Sequence, residues 1–242
     1  MDYYSVVETH DLYPDFTLPV DERSGLETYL SHLFDGIDLA GKRVLEVGAG
    51  DGRHALYMAS RGADVLALEP EAAGATEQNV RSTLTALSEH CDRLQVDSST
   101  FQEFEARESF DFVFMHNVVN HLDEAATQRL HDSRQAKETY RELFQKLRRI
   151  LTHDGSALIA DADRTHFYQF LGLDHPLAGH IEWEKHQPPS LWLELLEDVG
   201  FERRRLTWTP AASTGVFAPL TSNYVVSHFL RCHFCLVVTL DE

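Results

Sequence analysis

The chain has 242 residues, of which 43% are hydrophobic, so its length and apolar content suit one α/β domain with a substantial core. Its formal net charge of -18 argues against binding to a nucleic-acid backbone, because such binding requires a basic surface. No apolar run approaches about 18 residues and no secretory leader opens the chain, so we expect a cytoplasmic protein without a membrane span.

Aromatic residues, acids and prolines are mixed in residues 1–22, which predicts an irregular arm that packs on the body of the protein or closes over a site. Residues 23–242 are predicted to form the single domain. Its first element is an amphipathic helix, because leucines recur at helical spacing between residues 26 and 34, before Gly36.

A glycine-rich turn follows the first predicted strand, which covers residues 43–47. The turn reads Gly48-Ala49-Gly50-Asp51-Gly52, and a helix is predicted from Arg53 to about Arg61. Three glycines at alternate positions exceed what a strand-to-helix turn needs, and they allow a ligand to approach the backbone closely. The pattern therefore predicts a site for a small-molecule cofactor, with a plain structural turn as the alternative.

Acidic residues end the next two predicted strands. Glu69 follows the strand at residues 63–68, lies 17 residues beyond Gly52 and precedes Pro70. This spacing places a carboxylate where it can accept two hydrogen bonds from a ribose diol. Asp97 ends a short strand at residues 93–96 and by the same geometry can meet an adenine amine. The alternative for both acids is a solvated position in a loop.

The fourth predicted strand, residues 110–115, is strongly apolar and hence central, and polar residues 116–122 follow it. A long helical pattern then runs from Tyr140 to Leu151 and is predicted to stop at Gly155, before a fifth strand at residues 156–160. The alternation of strands and helices predicts parallel strands joined by right-handed crossovers.

The segment 162–189 loses periodicity and accumulates aromatic and histidine side chains, which predicts a lid or a wall of the substrate site. Its four histidines are His166, His175, His180 and His186. They lack the close spacing of metal ligands, so no metal site is expected.

Two final strands are predicted at residues 201–209 and 228–240, and the connection between them is too short for a helical crossover, so we expect them to be antiparallel neighbours. The last strand contains Cys232 and Cys235. They are predicted to be ordinary strand cysteines whose sulfurs point to opposite faces, with half of a redox or zinc motif as the alternative.

The sequence resembles the class I S-adenosylmethionine-dependent methyltransferases in three features. These are the motif from Val44 to Gly52, the strand-end acids Glu69 and Asp97, and the fourth strand followed by polar residues 116–122. The resemblance covers residues from about 24 to 240. It implies a Rossmann-like, doubly wound α/β fold. Its seven-stranded sheet would be mostly parallel, with one antiparallel strand near the C-terminus and helices on both faces.

The resemblance also implies roles for individual residues. The three glycines would hold the methionine part of S-adenosylmethionine above Glu46, Glu69 would bind the ribose, Asp97 the adenine, and the end of the fourth strand would line the sulfonium. The implied cofactor residues are Glu46, Gly48, Ala49, Gly50, Asp51, Gly52, Glu69, Pro70, Asp97, Ser98, His116 and Asn117. His121 is the candidate base, with a structural histidine as the alternative. The expected acceptor is a small molecule, and no nucleic acid is expected as a partner.

Two other functions fit parts of the pattern. The run from Gly50 to Ala55 matches a dinucleotide fingerprint, which would indicate a nicotinamide-dependent oxidoreductase. The Asp51 carboxylate would repel a pyrophosphate at the helix N-terminus and would favour the positively charged S-adenosylmethionine. The same fold can also bind S-adenosylmethionine or S-adenosylhomocysteine without catalysis.

Overall fold

Seven strands form one sheet in the computed structural model of the chain, which describes residues 29–70, 78–176, 179, 181–209, 222–230 and 232–241. In chain order they are β1 (Arg43–Val47), β2 (Asp64–Leu68), β3 (Leu94–Asp97), β4 (Phe110–His116), β5 (Leu151–Ala162), β6 (Phe201–Trp208) and β7 (His233–Leu240). The arm predicted for residues 1–22 and most of the connection between β6 and β7 lie outside the described residues.

Helices connect the strands. They are α1 (Arg53–Ser60), α2 (Gln78–Glu89), α3 (Glu124–Thr127), α4 (Arg134–Ile150), α5 (Phe167–Phe170), α6 (Pro189–Glu197) and α7 (Tyr224–Leu230), with 3₁₀ helices at Val119–His121 and Trp183–Lys185. Residues 29–33 are also helical, as the leucine spacing predicts. Within the described ranges, no helix combines the length and the apolar character needed to span a bilayer.

The strands lie in the order β3-β2-β1-β4-β5-β7-β6. Neighbours from β3 to β5 are parallel, whereas β7 is antiparallel to both β5 and β6. The predicted fold class is therefore confirmed. Because the chain leaves β3 at one edge and re-enters beside β1, the order reverses between β1 and β4, and the carboxyl ends of these two strands flank the crevice where such sheets bind ligands.

Each face of the sheet is covered by helices and has its own apolar core. Val113 and Met115 of β4 point into the core that includes residues of α4 and α6. Phe112 and Phe114 alternate with them and point into the core formed with α1, α2 and residues 30–34. A strand that is apolar on both faces must be central, as the composition of residues 110–115 predicts.

The boundary between α4 and β5 differs from the prediction. The helix ends at Ile150, not at Gly155, because Leu151 already has extended backbone angles (φ -82, ψ 149) and pairs with Phe110 of β4. The register then shifts, so that Ser156 pairs with Phe112. Residues 152–155 therefore form an irregularity inside the strand. Gly155 belongs to this irregularity and does not end the helix, contrary to the prediction from the sequence.

The last strand also begins later than predicted. Residues 224–230 are helical, and β7 begins at His233 rather than at residue 228. Cys232 lies before the strand with φ 48, and its backbone N–H donates to Ser227 O at 2.7 Å. The prediction that both cysteines are strand residues is therefore wrong for Cys232. Burial raises the pKa of the Cys232 thiol to about 12 and that of Cys235 to about 11, so neither is a ready thiolate.

Phe144 is fully buried on α4, where its ring lies 5.8 Å from Tyr140 and 6.2 Å from Trp192, centroid to centroid. We expect Phe144→Ala to lower the free energy of unfolding by about 3 to 5 kcal/mol, because it removes buried apolar surface and leaves a cavity. Chemical denaturation measures this change. The adjacent exposed Gln145→Ala is the control and should change stability by less than about 0.5 kcal/mol; equal effects would contradict the packing.

Candidate functional site

The glycine-rich turn is attached to the end of β2. The backbone N–H groups of Gly48 and Ala49 donate to Leu68 O at 2.9 and 3.0 Å, and the N–H of Gly50 donates to Glu69 Oε2 at 2.7 Å. Glu69 is only 5% exposed. The strand-end acid that the sequence singled out therefore holds the glycine loop in place.

The loop leaves room for a ligand at one of its glycines. Gly50 has φ 57, and a Cβ added to it would meet no atom within 4 Å. A Cβ on Gly48 would instead meet Val118 Cγ2 at 2.5 Å, so the loop there is closed by the segment after β4. The backbone of Gly50 is thus accessible for close approach by a bound molecule.

Glu46 is 1% exposed and lies near the end of β1, two residues before Gly48. Neither carboxylate oxygen has a hydrogen-bond partner, and its nearest ion-pair contact joins Oε1 to Nδ1 of His54 at 3.5 Å. Burial raises the pKa of this carboxyl well above its usual value, and the charges of Asp51 and Glu69 add to the effect. A buried acid without a partner at the base of an open loop fits a ligand that carries positive charge.

Asp51 is paired with the next basic side chain. Nε of Arg53 donates to the Asp51 carboxylate oxygens at 2.9 and 3.0 Å, and the guanidinium and carboxylate form an ion pair. The sequence predicted that the Asp51 carboxylate would repel a pyrophosphate, and the ion pair with Arg53 weakens that repulsion. A preference of the loop for a cation would therefore rest on the buried carboxyls of Glu46 and Glu69.

Asp97 lies beside Glu69 along the same edge of the sheet. Leu68 and Asp97 are paired in the register of β2 and β3, and the N–H of Glu69 donates to Asp97 O at 3.0 Å. Hydrogen bonds from Ser99 hold the pKa of the Asp97 carboxyl below its usual value, so it is ionised at neutral pH. The remaining residues predicted there, Pro70 and Ser98, are at least partly exposed at the same strand ends.

A cluster of three histidines and a tyrosine lies on the other side of the loop. The ring of His116, at the end of β4, lies 4.5 Å from the ring of His54 and 5.4 Å from that of His233, centroid to centroid. Tyr29 reaches the cluster from the helical residues 29–33, and its hydroxyl lies 2.5 Å from His116 Nε2. The sequence identified His116 but missed the other three, because they come from separate elements and share no spacing.

Burial keeps two of these imidazoles, those of His54 and His116, neutral. It lowers the pKa of His54 to about 4 and that of His116 well below its usual value, and the neighbouring His54 and Arg53 reinforce the shift at His116. Neutral His116 and the Tyr29 hydroxyl are joined by the hydrogen bond at Nε2. Among the residues that the structure describes, no group of His, Cys, Asp and Glu has the geometry to hold a metal ion.

The two remaining residues of the prediction lie after β4. Asn117 has φ 51, and its Oδ1 accepts a hydrogen bond from His233 Nε2 at 2.8 Å, which joins it to the histidine cluster. His121 lies on the 3₁₀ helix with a side chain that is 46% exposed, and its Nδ1 is 2.6 Å from Glu124 Oε1. Glu124 is also 3.0 Å from Lys185 Nζ, so His121 belongs to a surface ion-pair network.

The described part of the predicted wall, residues 162–189, is a packed cluster of rings. His166 lies 4.3 Å from Trp183 and 5.1 Å from His175, while His175 stacks on Trp183 at 5.4 Å. Its role as a lid or a substrate wall stays a prediction.

The family whose model matches the chain is described as a methyltransferase domain, and the match covers residues 23–206. The chain belongs to this family. The resemblance to class I S-adenosylmethionine-dependent methyltransferases is thereby confirmed, and the cofactor expected from the sequence, S-adenosylmethionine, agrees with it. None of the curated proteins matches the sequence.

Solved structures of methyltransferases share the fold at low sequence identity. An S-adenosylmethionine-dependent methyltransferase from Aquifex aeolicus is 14% identical with a TM-score of 0.60, and the alignment covers 99% of each chain. A TehB-like methyltransferase from Corynebacterium glutamicum is 15% identical with a TM-score of 0.55, and covers 99% of this chain and 98% of its own. The 1,6-didemethyltoxoflavin-N1-methyltransferase from Burkholderia thailandensis, solved with its substrate and S-adenosylhomocysteine, is 16% identical with a TM-score of 0.55, covering 99% and 89%.

The neutral His54 makes stability depend on pH. Its pKa is about 4 in the folded protein against 6.5 for the free side chain, so the unfolded chain binds more protons between these values. We therefore expect His54 to leave the free energy of unfolding unchanged above pH 6.5. As the pH falls from 6.5 towards 4, the free energy of unfolding should decrease by about 3 kcal/mol. His54→Gln should remove this dependence.

Urea unfolding of both proteins across that pH range measures the difference between their free energies of unfolding. Because Glu46 is present in both proteins, its own titration contributes to both curves. A difference that stays constant with pH would contradict the assignment of a neutral, buried imidazole.

Proposed function

We propose that the chain transfers a methyl group from S-adenosylmethionine to a small-molecule acceptor by in-line displacement. The observation that carries the proposal is the glycine loop between β1 and α1, which Glu69 holds through Gly50 while the space beside Gly50 stays open. The buried Glu46 beneath the loop supports a positively charged ligand over a pyrophosphate. The family match supports methyl transfer as the reaction class.

In this proposal each part of the edge binds one part of the cofactor. The loop from Gly48 to Gly52 holds the methionine part, Glu69 accepts hydrogen bonds from the ribose, and Asp97 binds the adenine amine. Asp97 is ionised and lies beside Glu69, which suits two neighbouring groups of one nucleoside. Pro70 and Ser98 continue the same surface, and His116 and Asn117 close it at the end of β4.

The bound cofactor supplies a methyl group on a positively charged sulfur, and charge is neutralised as the acceptor attacks. Alignment of acceptor and methyl can supply up to about 7 to 11 kcal/mol of the barrier reduction, because a bimolecular step becomes effectively unimolecular. A general base adds about 10²- to 10⁴-fold. The main catalytic demand on this chain is therefore to hold two molecules in line.

The amino-acid composition favours a small molecule as the methyl acceptor. The net charge of -18 disfavours nucleic acid, and the ring cluster of residues 162–189 offers a predominantly aromatic wall. The Burkholderia thailandensis relative of this fold acts on 1,6-didemethyltoxoflavin, a small molecule. We infer the same class here, in a cytoplasmic protein in which the described part of segment 162–189 borders the acceptor.

Binding without catalysis is the competing function, and the cofactor loop alone does not distinguish the two. The deciding experiment supplies S-adenosylmethionine with a labelled methyl group and an extract of soluble metabolites. Transfer of label to a metabolite supports the enzyme. Tight binding of S-adenosylhomocysteine with no transfer to any metabolite would support a sensor or a partner subunit.

Replacement of Glu69 separates its two roles. Glu69→Ala should lower affinity for S-adenosylmethionine by about tenfold or more, because hydrogen bonds to a charged group contribute about 1.5 to 3 kcal/mol. Glu69→Gln keeps one oxygen for the Gly50 N–H but loses the charge and the second acceptor, so its affinity should also fall. Calorimetry on the folded variants measures both. Wild-type affinity in Glu69→Gln would assign the loss in Glu69→Ala to the loop rather than to the sugar.

Gly50→Ala tests the open space beside the loop. The new methyl group would enter that space, so affinity for S-adenosylhomocysteine should fall by about tenfold or more, equivalent to about 1.4 kcal/mol or more. Gly41→Ala is the matched control, because Gly41 also has positive φ (69) and open surroundings but precedes β1 at the other edge of the sheet. Equal affinities of the two variants would contradict a ligand at Gly50.

A further inference from the structure

A buried acid lies at the carboxyl end of β5 and is paired with a histidine. Asp161 is 0% exposed, and its Oδ1 accepts hydrogen bonds from the backbone N–H of Ala162 at 2.8 Å and from Nδ1 of His186 at 2.9 Å. Ala160, one residue earlier, is paired with His116 of β4. Asp161 therefore lies near the end of β5, and β5 is the neighbour of β4, which lines the proposed methyl donor.

The histidine is held firmly although it comes from the irregular segment. His186 follows the 3₁₀ helix Trp183–Lys185, and its side chain is 13% exposed. On one side of it Lys185 is bound to Glu124, and on the other Gln187 Nε2 donates to Thr127 O at 2.7 Å. Both neighbours are fixed to the segment 124–127, so the imidazole has a defined position.

Several polar atoms around this pair are buried without a hydrogen-bond partner. They are Asp161 Oδ2, Gln187 Oε1, and both Oδ1 and Nδ2 of Asn120. Asn120 and Gln187 are each 0% exposed, and both are linked to Thr127, whose Oγ1 donates to Asn120 O at 2.8 Å. Buried polar atoms normally have partners, so unpaired donors and acceptors from three segments indicate a place for a polar ligand.

The pair lies on the face of the sheet that the 3₁₀ helix after β4 covers. Ile159, Met115 and Val119 share one core, and Asp161 follows Ile159 by two positions, which places it on the same face. Asn120 follows Val119 on that 3₁₀ helix. Adjacent strands lie about 4.8 Å apart, so a molecule beside Asp161 is within reach of the end of β4.

We propose that His186, oriented by Asp161, is the general base that accepts the proton of an acceptor hydroxyl. This inference rests on the proposed function. The Asp161 carboxylate takes the Nδ1–H and leaves the lone pair of Nε2 directed at the acceptor, which is the logic by which a carboxylate sets the tautomer of a catalytic histidine. Among the described contacts, no hydrogen bond occupies His186 Nε2.

The step balances without another reactant. As the acceptor oxygen forms its bond to the methyl carbon, the carbon–sulfur bond breaks and its electron pair stays on sulfur. The hydroxyl proton moves to His186 Nε2, and the Asp161 carboxylate stabilises the resulting imidazolium before the proton passes to water. The acceptor is thus a hydroxyl-bearing small molecule with further polar groups for Asn120 and Gln187, and Asp161 is a positioning residue.

Other charged groups lie near the pair and bear on its pH dependence. Asp163 at the end of β5 and Tyr140 of α4 are within electrostatic reach of Asp161, and the Glu124–Lys185 ion pair flanks His186. These four groups, Asp163, Tyr140, Glu124 and Lys185, lie on elements next to the carboxyl ends of β4 and β5.

The tautomer of the His186 imidazole tests the inference, and this measurement does not require the methyl acceptor. In long-range proton–nitrogen spectra of isotope-labelled protein bound to S-adenosylhomocysteine, His186 should be neutral with hydrogen on Nδ1 and none on Nε2 at alkaline pH. His186→Asn identifies its signals. Asp161→Asn should move hydrogen to Nε2, because an amide can donate to Nδ1. Hydrogen on Nε2 in the wild-type complex would overturn the proposal.

Methyl transfer provides the second readout, with labelled S-adenosylmethionine and the metabolite extract. His186→Asn keeps a donor for Asp161 but has no base, so transfer should fall by about 10²- to 10⁴-fold at neutral pH and recover as alkali ionises the acceptor hydroxyl. Affinity for S-adenosylhomocysteine should not change. The control is His153→Asn, an exposed histidine in the irregular part of β5 at the other edge of the sheet, which should transfer at the wild-type rate.

The outcomes separate this inference from the proposed function. Wild-type transfer and an unchanged pH profile in His186→Asn would overturn the base and leave the methyltransferase standing, as would a product methylated on nitrogen, sulfur or carbon. Loss of the pH dependence in His121→Asn but not in His186→Asn would assign the base to His121. Absence of both S-adenosylhomocysteine binding and methyl transfer in the wild type would refute the proposed function itself.

Discussion

The hydrogen bond from the Gly50 N–H to Glu69 joins two crossovers of the sheet, and the candidate site depends on it. It fixes the glycine loop against the end of β2, and it buries a carboxylate where a parallel sheet presents its ligand-binding edge. Because Leu68 O and the Glu69 carboxylate hold the loop from the end of β2, the backbone at Gly50 can stay open to a ligand. The same strand end also sets the distance to Asp97, through the backbone pairing of β2 and β3.

The edge of the sheet divides into two chemically different halves. The half formed by β1, β2 and β3 presents acids, of which Glu46 is buried and without a hydrogen-bond partner. The half formed by β4, β5 and β7 presents His116 and His233, with His54 of α1 beside them, and burial keeps His54 and His116 neutral. In the proposed function, a cationic methyl donor would bind at the acidic half and the acceptor at the half that contains imidazoles.

The sequence predicted the elements whose signals are local. The strand, glycine loop and helix around Gly50, the acid at Glu69 and the apolar strand before His116 all follow from contiguous residues, and the structure has each of them. The two wrong boundaries have a shared cause. At Leu151 and at Cys232 the choice between helix and strand depends on which neighbouring strand is available for pairing, and Gly155 and the apolar residues Phe229 and Leu230 carried misleading local signals.

What the sequence determined by itself was the sheet class, the family's cofactor, and the succession of strand, glycine loop, helix and strand-end acid, because these are encoded in spacing along one stretch of chain. Only the tertiary structure decided which side chains meet across the crevice. Tyr29, His54, His116 and His233 come from four elements, and Asp161 and His186 are 25 residues apart, so no spacing rule connects them. Pairing of strands brings such residues together, and burial then sets their protonation.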